Sequence, residues 1–228
     1  MWIFNKYHWI SNFPKKCPFY KKALANFIYF ITGIIIHSRK NLLSHKDLIK
    51  ARFKLHKGDI ALWGNLREVS ALFIKGPVTH ASIYVGRRKF IEAVGDGVHY
   101  ESLHHMFTTY DTLIVLRIPQ DIAKRKKKIK EAIKYAKEQI GKPYDFDFTG
   151  TKGKFFCTEL VNYAFTKAKH NTHLSTIGKF RQEEQTLMRK FIHASRALQP
   201  VKFAEDGNFD TVFISHNLKF KKKIMFKR

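Results

Sequence analysis

Cys157 follows the apolar pair Phe155–Phe156 and opens a stretch whose apolar residues, Leu160, Val161, Ala164, Phe165 and Ala168, recur on one helical face. The spacing predicts a helix over Cys157–Ala168, with the cysteine in its first turn. Unpaired backbone N–H groups and the positive end of the helix dipole stabilise an anion there, so a thiol in that position ionises more readily to the nucleophilic thiolate. The plain alternative is a buried cysteine acting as a small hydrophobe. Cys17, the other cysteine, is far away in sequence, and one distant pair makes neither a disulfide framework nor a zinc motif.

A thiol needs a base. His80 lies in THASIYVG, where strand alternation puts Ala81, Ile83 and Val85 on one face and His80, Ser82 and Tyr84 on the other. An imidazole on the polar face at a strand end reaches a cleft and can take a proton from a thiol opposite. Glu92, in FIEAV on the returning strand, is a charge among apolar neighbours and requires a partner. That partner is either the second ring N–H of His80, which would fix its tautomer and favour its charged form, or an arginine of the GRRK turn. Register decides between them. A plain two-residue turn at Arg87–Arg88 sets Glu92 opposite Ile83, on the wrong face; a bulge or a longer loop is required.

Tyr144, in GKPYDFDF, offers a phenol O–H that either helps hold an oxyanion beside the backbone N–H of Cys157 or packs a loop. Asp145 and Asp147 cap the next element or anchor that loop. His99, His104 and His105 are clustered, but no second ligand group stands at zinc spacing. They read as surface residues, and the sequence calls for no metal and no cofactor.

The elements that must position these residues form an α+β domain from about residue 51. Strands are expected at Gly58–Trp63, Thr79–Val85, Phe90–Val94 and Thr112–Ile118, with a last one near Thr211–Ser215. An amphipathic helix over about 121–140 turns Ile129, Ala132, Ile133, Ala136 and Ile140 inward and a lysine face outward. Another helix is expected over about 182–198, and the basic tail KFKKKIMFKR reads as frayed.

Residues 1–50 differ from the rest. They hold nine Lys or Arg, one acid (Asp47), and an uncharged run, Ala23–Ile36, of 14 residues. As a helix this run spans about 21 Å, short of the roughly 30 Å hydrocarbon core of a bilayer. It is the apolar region of a signal peptide, though no cleavage site follows; or a buried core helix; or an interfacial anchor, which Trp2, Phe4, Tyr7, Trp9 and Phe13 would suit. The formal charge of +25 favours anionic partners such as a membrane surface, while a compositional bias towards Lys, Phe, Ile and Asn accounts for it equally well.

In order and spacing, KGDIALW, THASIYVGRRKFIEAV, IGKPYDFDF and KFFCTELVNYAF resemble the permuted papain-like amidases of the YiiX/YaeF type, C92-like members of the NlpC/P60 superfamily. The likeness covers residues 55–168. The His strand precedes the Cys helix, as in the permuted branch. The resemblance implies a circularly permuted papain-like fold, an antiparallel sheet packed against helices. It also implies a triad of Cys157, His80 and Glu92, with hydrolysis or acyl transfer at an amide or ester through an acyl-enzyme. Substrates implied are N-acyl or lipid compounds or peptidoglycan-type peptides. A basic helical insertion at about 169–198 and the unusual residues 1–50 depart from the pattern and leave substrate and compartment open: membrane-associated, cytoplasmic or secreted. A non-catalytic basic module for lipid or nucleic acid is the competing reading, although the aromatics do not interleave with the lysine runs as a nucleic-acid stacking platform would.

Overall fold

The computed structural model describes residues 8–34, 43–66, 68, 76–146, 153–172, 199–205, 208–220 and 224–226. The expected strands appear as β1 (Ile60–Gly64), β2 (His80–Gly86), β3 (Lys89–Val94), β5 (Thr112–Arg117) and β6 (Asp210–Ile214). Between them lie β4 (Gly97–Ser102) and a helix, α3 (Leu103–Thr109), neither of which the apolar pattern had signalled. The six strands form one antiparallel sheet in the order β4-β3-β2-β1-β5-β6.

Helices cover both faces of this sheet. Ile60, Leu62, Ala81, Ile83, Ile91, Ala93, Ile114 and Leu116 share one core with α4 (Arg125–Lys137) and α5 (Cys157–Lys167). Ala61, Trp63, Tyr84, Phe90, Leu113 and Val115 share a second core with α2 (His45–Lys54) and α3. The face of His80, Ser82 and Tyr84, read from alternation as polar and open, is therefore buried as well. The reason is aromatic: Trp63, Phe90, Phe107 and Tyr110 pack around it. On α5, Leu160, Val161, Ala164 and Phe165 are fully buried, each worth up to about 1.5–3 kcal/mol for the larger side chains. This anchorage fixes where the helix begins, and so where Cys157 stands.

On α4, Ala132 and Ala136 face the core as expected, whereas Ile140 lies beyond the helix end and is exposed. The tail is not frayed throughout. β7 (Leu218–Phe220) and β8 (Ile224–Phe226) form a hairpin that buries Leu218 and Ile224, with a short helix, α6 (Lys202–Glu205), preceding β6. The helix expected over 182–198, most of the insertion and Asp147 fall outside the described residues.

The apolar N-terminal run lies in α1 (Phe19–Thr32). Its buried residues are Ala25 and Asn26, so it is not a core helix. Asn26 clamps the preceding segment by accepting from the Ile10 N–H at 2.8 Å and donating to the Ile10 carbonyl at 3.2 Å. That segment packs on the β3–β4 turn: Ile10 touches Gly95, His8 meets Asp96 at 2.7 Å, and Asn12 donates to the Asp96 carbonyl at 2.8 Å. Residue 50 falls within α2, which docks on the end of the chain because the Asp47 carboxylate accepts from the His216 N–H and pairs with its ring. No helix among the described residues is long and apolar enough to cross a membrane.

Candidate active site

The register that sequence alone left open is settled by an extra residue. Arg87 and Arg88, at φ 52° and 58°, form a two-residue turn of left-handed residues. Gly86 pairs with Lys89, but Tyr84 pairs with Phe90, so Val85 is an unpaired bulge. The single inserted residue moves Glu92 from Ile83 to Ser82, onto the face of His80. Glu92 Oε2 then lies 2.7 Å from His80 Nε2, with both side chains buried. The turn arginines play no part in satisfying this carboxylate.

With Nε2 taken by Glu92, Nδ1 of His80 is the ring nitrogen left for Cys157, which helps to raise the His80 pKa. Burial by itself would lower the His80 pKa. The Glu92 carboxylate and Cys157 outweigh it, and the value is pushed up to about 10 from the usual 6.5. His80 is thus an imidazolium at neutral pH, held between a carboxylate and a thiol. Cys157 is a free cysteine and partly exposed, so a carbonyl has a path to the sulfur.

Two tyrosines complete the surroundings. Tyr110 stacks on the His80 ring, with centroids 5.5 Å apart and planes within 4°. Burial, reinforced by the Glu92 charge, holds its phenol well above the ordinary 10, and it stays a neutral wall that keeps the imidazole from tipping. Nothing in the sequence pattern singled it out, since Tyr110 sits between α3 and β5 without periodic context. Tyr144 bridges to Phe155 in the backbone just ahead of the cysteine. Its phenol is likewise raised, by burial and then by the charge of Cys157.

Below this loop the carboxylates divide their work. Asp145 is fully buried and pairs with Lys154 at 2.8 Å, which anchors the loop as expected for that residue. Glu159, in the first turn of α5, accepts from the Phe156 N–H at 3.4 Å. Burial and then the Asp145 charge push its pKa up to about 8.

His99 is not a detached surface residue. It stands directly across from Glu92 on β4, its Nε2 3.6 Å from Glu92 Oε1. Glu92, His99 and Glu101 present ligand atoms within 4.8 Å of one another. His104 and His105 are on α3, with His105 3.8 Å from Glu101. Sequence reasoning missed the group because its members come from two strands, and the spacing that matters is across the ladder.

A family profile described as permuted papain-like amidase enzyme, YaeF/YiiX, C92 family, matches residues 54–213. The chain belongs to this family. It is therefore an enzyme of the papain-like cysteine amidase and peptidase class, a hydrolase of amide bonds by family. A crystal structure of "metalloprotein yiiX" from Escherichia coli O157:H7 is similar to it at 20% identity, with a TM-score of 0.50 over 70% of this chain and 97% of that one. At that identity the likeness speaks for the fold: the permuted papain-like arrangement of helices on an antiparallel sheet. No curated protein sequence matches. The C92 match extends past residue 168, where the resemblance ended, to residue 213 within β6.

Proposed function

We propose that this C92-family enzyme cleaves an amide, or the corresponding ester, through an acyl-enzyme on Cys157. The observation that carries the reading is the position of His80, hydrogen-bonded to Glu92 at 2.7 Å and near enough to Cys157 for that residue to help raise its pKa. The Cys157 thiolate attacks the carbonyl carbon, and an S–C bond forms as the carbonyl π pair moves to oxygen. In this reading the Cys157 backbone N–H and the Tyr144 phenol receive that oxyanion. As the C–N bond breaks, the His80 imidazolium gives its proton to the departing amine. Water then adds to the thioester, His80 takes its proton back, and the acid leaves with the thiol restored. Glu92 holds the His80 tautomer and stabilises its positive charge throughout.

The N-terminal helix favours an N-acyl or lipid substrate at an anionic membrane surface. Phe19, Tyr20, Leu24, Phe27 and Phe30 lie on one side of α1 and are exposed, Phe19 by 78%. Exposed Lys15, Lys16 and Lys21 flank them, the composition of an interfacial helix. This helix is tied to the site through Phe13, whose ring contacts Phe146, which in turn contacts Tyr144. Docking α1 on lipid would bring the Tyr144 loop to the headgroups.

The test pairs chemistry with location. In the full chain, iodoacetamide should label Cys157 far faster than Cys17, and His80→Ala should remove that advantage. Cys157→Ala should abolish hydrolysis of N-acyl amides. Vesicles containing anionic lipid should sediment the protein, and a Phe19→Ser, Phe27→Ser, Phe30→Ser variant should lose that binding by at least tenfold while keeping its far-UV spectrum. Equal labelling of the two cysteines would leave the basic binding module as the better account. Cleavage of soluble peptides with no vesicle binding would refute the membrane part alone.

A further inference from the structure

The row of titratable groups does not end at Glu92. We propose that Glu92, His99 and Glu101 form a binding site for a divalent cation of the zinc class.

The case begins with the His99 tautomer. His99 Nδ1 lies 3.3 Å from the Gly97 carbonyl, an oxygen that can only accept, so Nδ1 carries a proton. In the neutral ring Nε2 is then a lone pair, and it faces Glu92 Oε1 at 3.6 Å. A cation between them, a proton or a metal ion, satisfies both. The pattern is that of a metal-binding histidine, whose second ring N–H is characteristically held by a carbonyl or carboxylate.

The remaining geometry agrees. Zinc ligands at about 2.0–2.2 Å from the ion stand roughly 3.4 Å apart in a tetrahedron, close to the gap found here. Glu92 is 3% exposed, and His80 occupies its Oε2 alone, while Oε1 has no closer described partner than His99. The Glu92 oxygen not held by His80 is thus available as a ligand. Glu101 is on the same face as His99, two residues further along β4, and all three ligand atoms fall within 4.8 Å. Rotation of its partly exposed carboxylate closes the set. One nitrogen and two carboxylate oxygens suit Zn²⁺, Co²⁺ or Mn²⁺ better than the all-oxygen cages of Ca²⁺.

Glu92 would bridge, with Oε2 on His80 and Oε1 on the cation.

Binding is measured without catalysis. A full-length Cys17→Ser, Cys157→Ala variant, which leaves no thiol to compete, is titrated with zinc chloride by calorimetry and with cobalt chloride by visible absorption. One equivalent should bind, and His99→Ala and Glu101→Gln in that background should each weaken it at least tenfold. Unchanged affinity in His99→Ala, or no binding in the parent, overturns the site.

Discussion

Replacing Glu92 with glutamine removes one charge and almost no volume. The carbonyl oxygen of Gln can still accept from His80 Nε2, so the ring keeps its place on Tyr110 and beside Cys157. What disappears is the main favourable contribution to the His80 charge. Holding that imidazolium to about pH 10 instead of 6.5, against burial that opposes it, represents about 5 kcal/mol of net stabilisation. Glu92 is the first-ranked source, followed by Cys157. Loss of the larger share brings the His80 pKa down by about two pH units, equivalent to roughly 3 kcal/mol. The sign follows from a folded-state pKa above the unfolded one. The contribution of His80 to stability is complete below about pH 6.5 and fades as pH rises towards 10. The assay is a histidine NMR titration of the full chain, with the His80 resonance assigned by its absence in His80→Gln. It is paired with the alkaline limb of kcat/KM on an N-acyl anilide. At pH 7 wild type and variant should carry similar imidazolium fractions. At pH 9 the variant should retain about a tenth of the wild-type fraction, and the rate ratio should fall accordingly. A His80 resonance that titrates identically in the two proteins would refute the argument, because the shift would then owe nothing to Glu92.

Two further predictions concern the scaffold. Asp59 is 1% exposed and accepts Arg117 Nε and an Nη at 2.8 Å each, together with the His56 N–H at 2.7 Å. Asp59→Asn should lower unfolding free energy by about 3 kcal/mol, read from the urea midpoint, because a part-buried arginine is left without its counter-charge. Ser82 lies beneath the Glu92 pairing and accepts from the Trp63 indole N–H at 2.9 Å, both residues being fully buried. Ser82→Ala should cost about 1–3 kcal/mol in tryptophan-fluorescence unfolding, and Ser82→Thr should cost less if its hydroxyl reaches the indole. A midpoint unmoved in either alanine or asparagine variant would show that the interaction is not structural.

The link between α1 and the site gives the N-terminal segment a mechanical reason to stay with the enzyme. Gly97, at φ 99°, leaves no room for a side chain: a Cβ there would sit 2.3 Å from the Lys142 carbonyl and 2.6 Å from Asn12 Nδ2. The β3–β4 turn, the loop leading to Tyr144 and the N-terminal segment therefore meet at one glycine.

Local chemistry made much of this protein readable from residues alone. The first-turn position of Cys157 follows from the helical spacing of Leu160, Val161, Ala164 and Phe165, whose burial the structure bears out. Strand existence at β1, β2, β3 and β5 follows from short apolar runs between turn residues, and the order of the four motifs named the family. Long-range pairing was another matter. Whether Glu92 meets His80 or Ile83 hangs on one bulged residue, Val85, and a period-two pattern reads the same on either side of a single-residue slip. The burial of the His80 face depends on aromatic residues brought in from β1, β3 and α3, distances in sequence that no window spans. His99 was legible only as a histidine; its partnership with Glu92 exists because β3 and β4 hydrogen-bond in one register. Residue type and local period determined which groups are available for chemistry. Which of them share a charge, a proton or an ion was decided by the sheet.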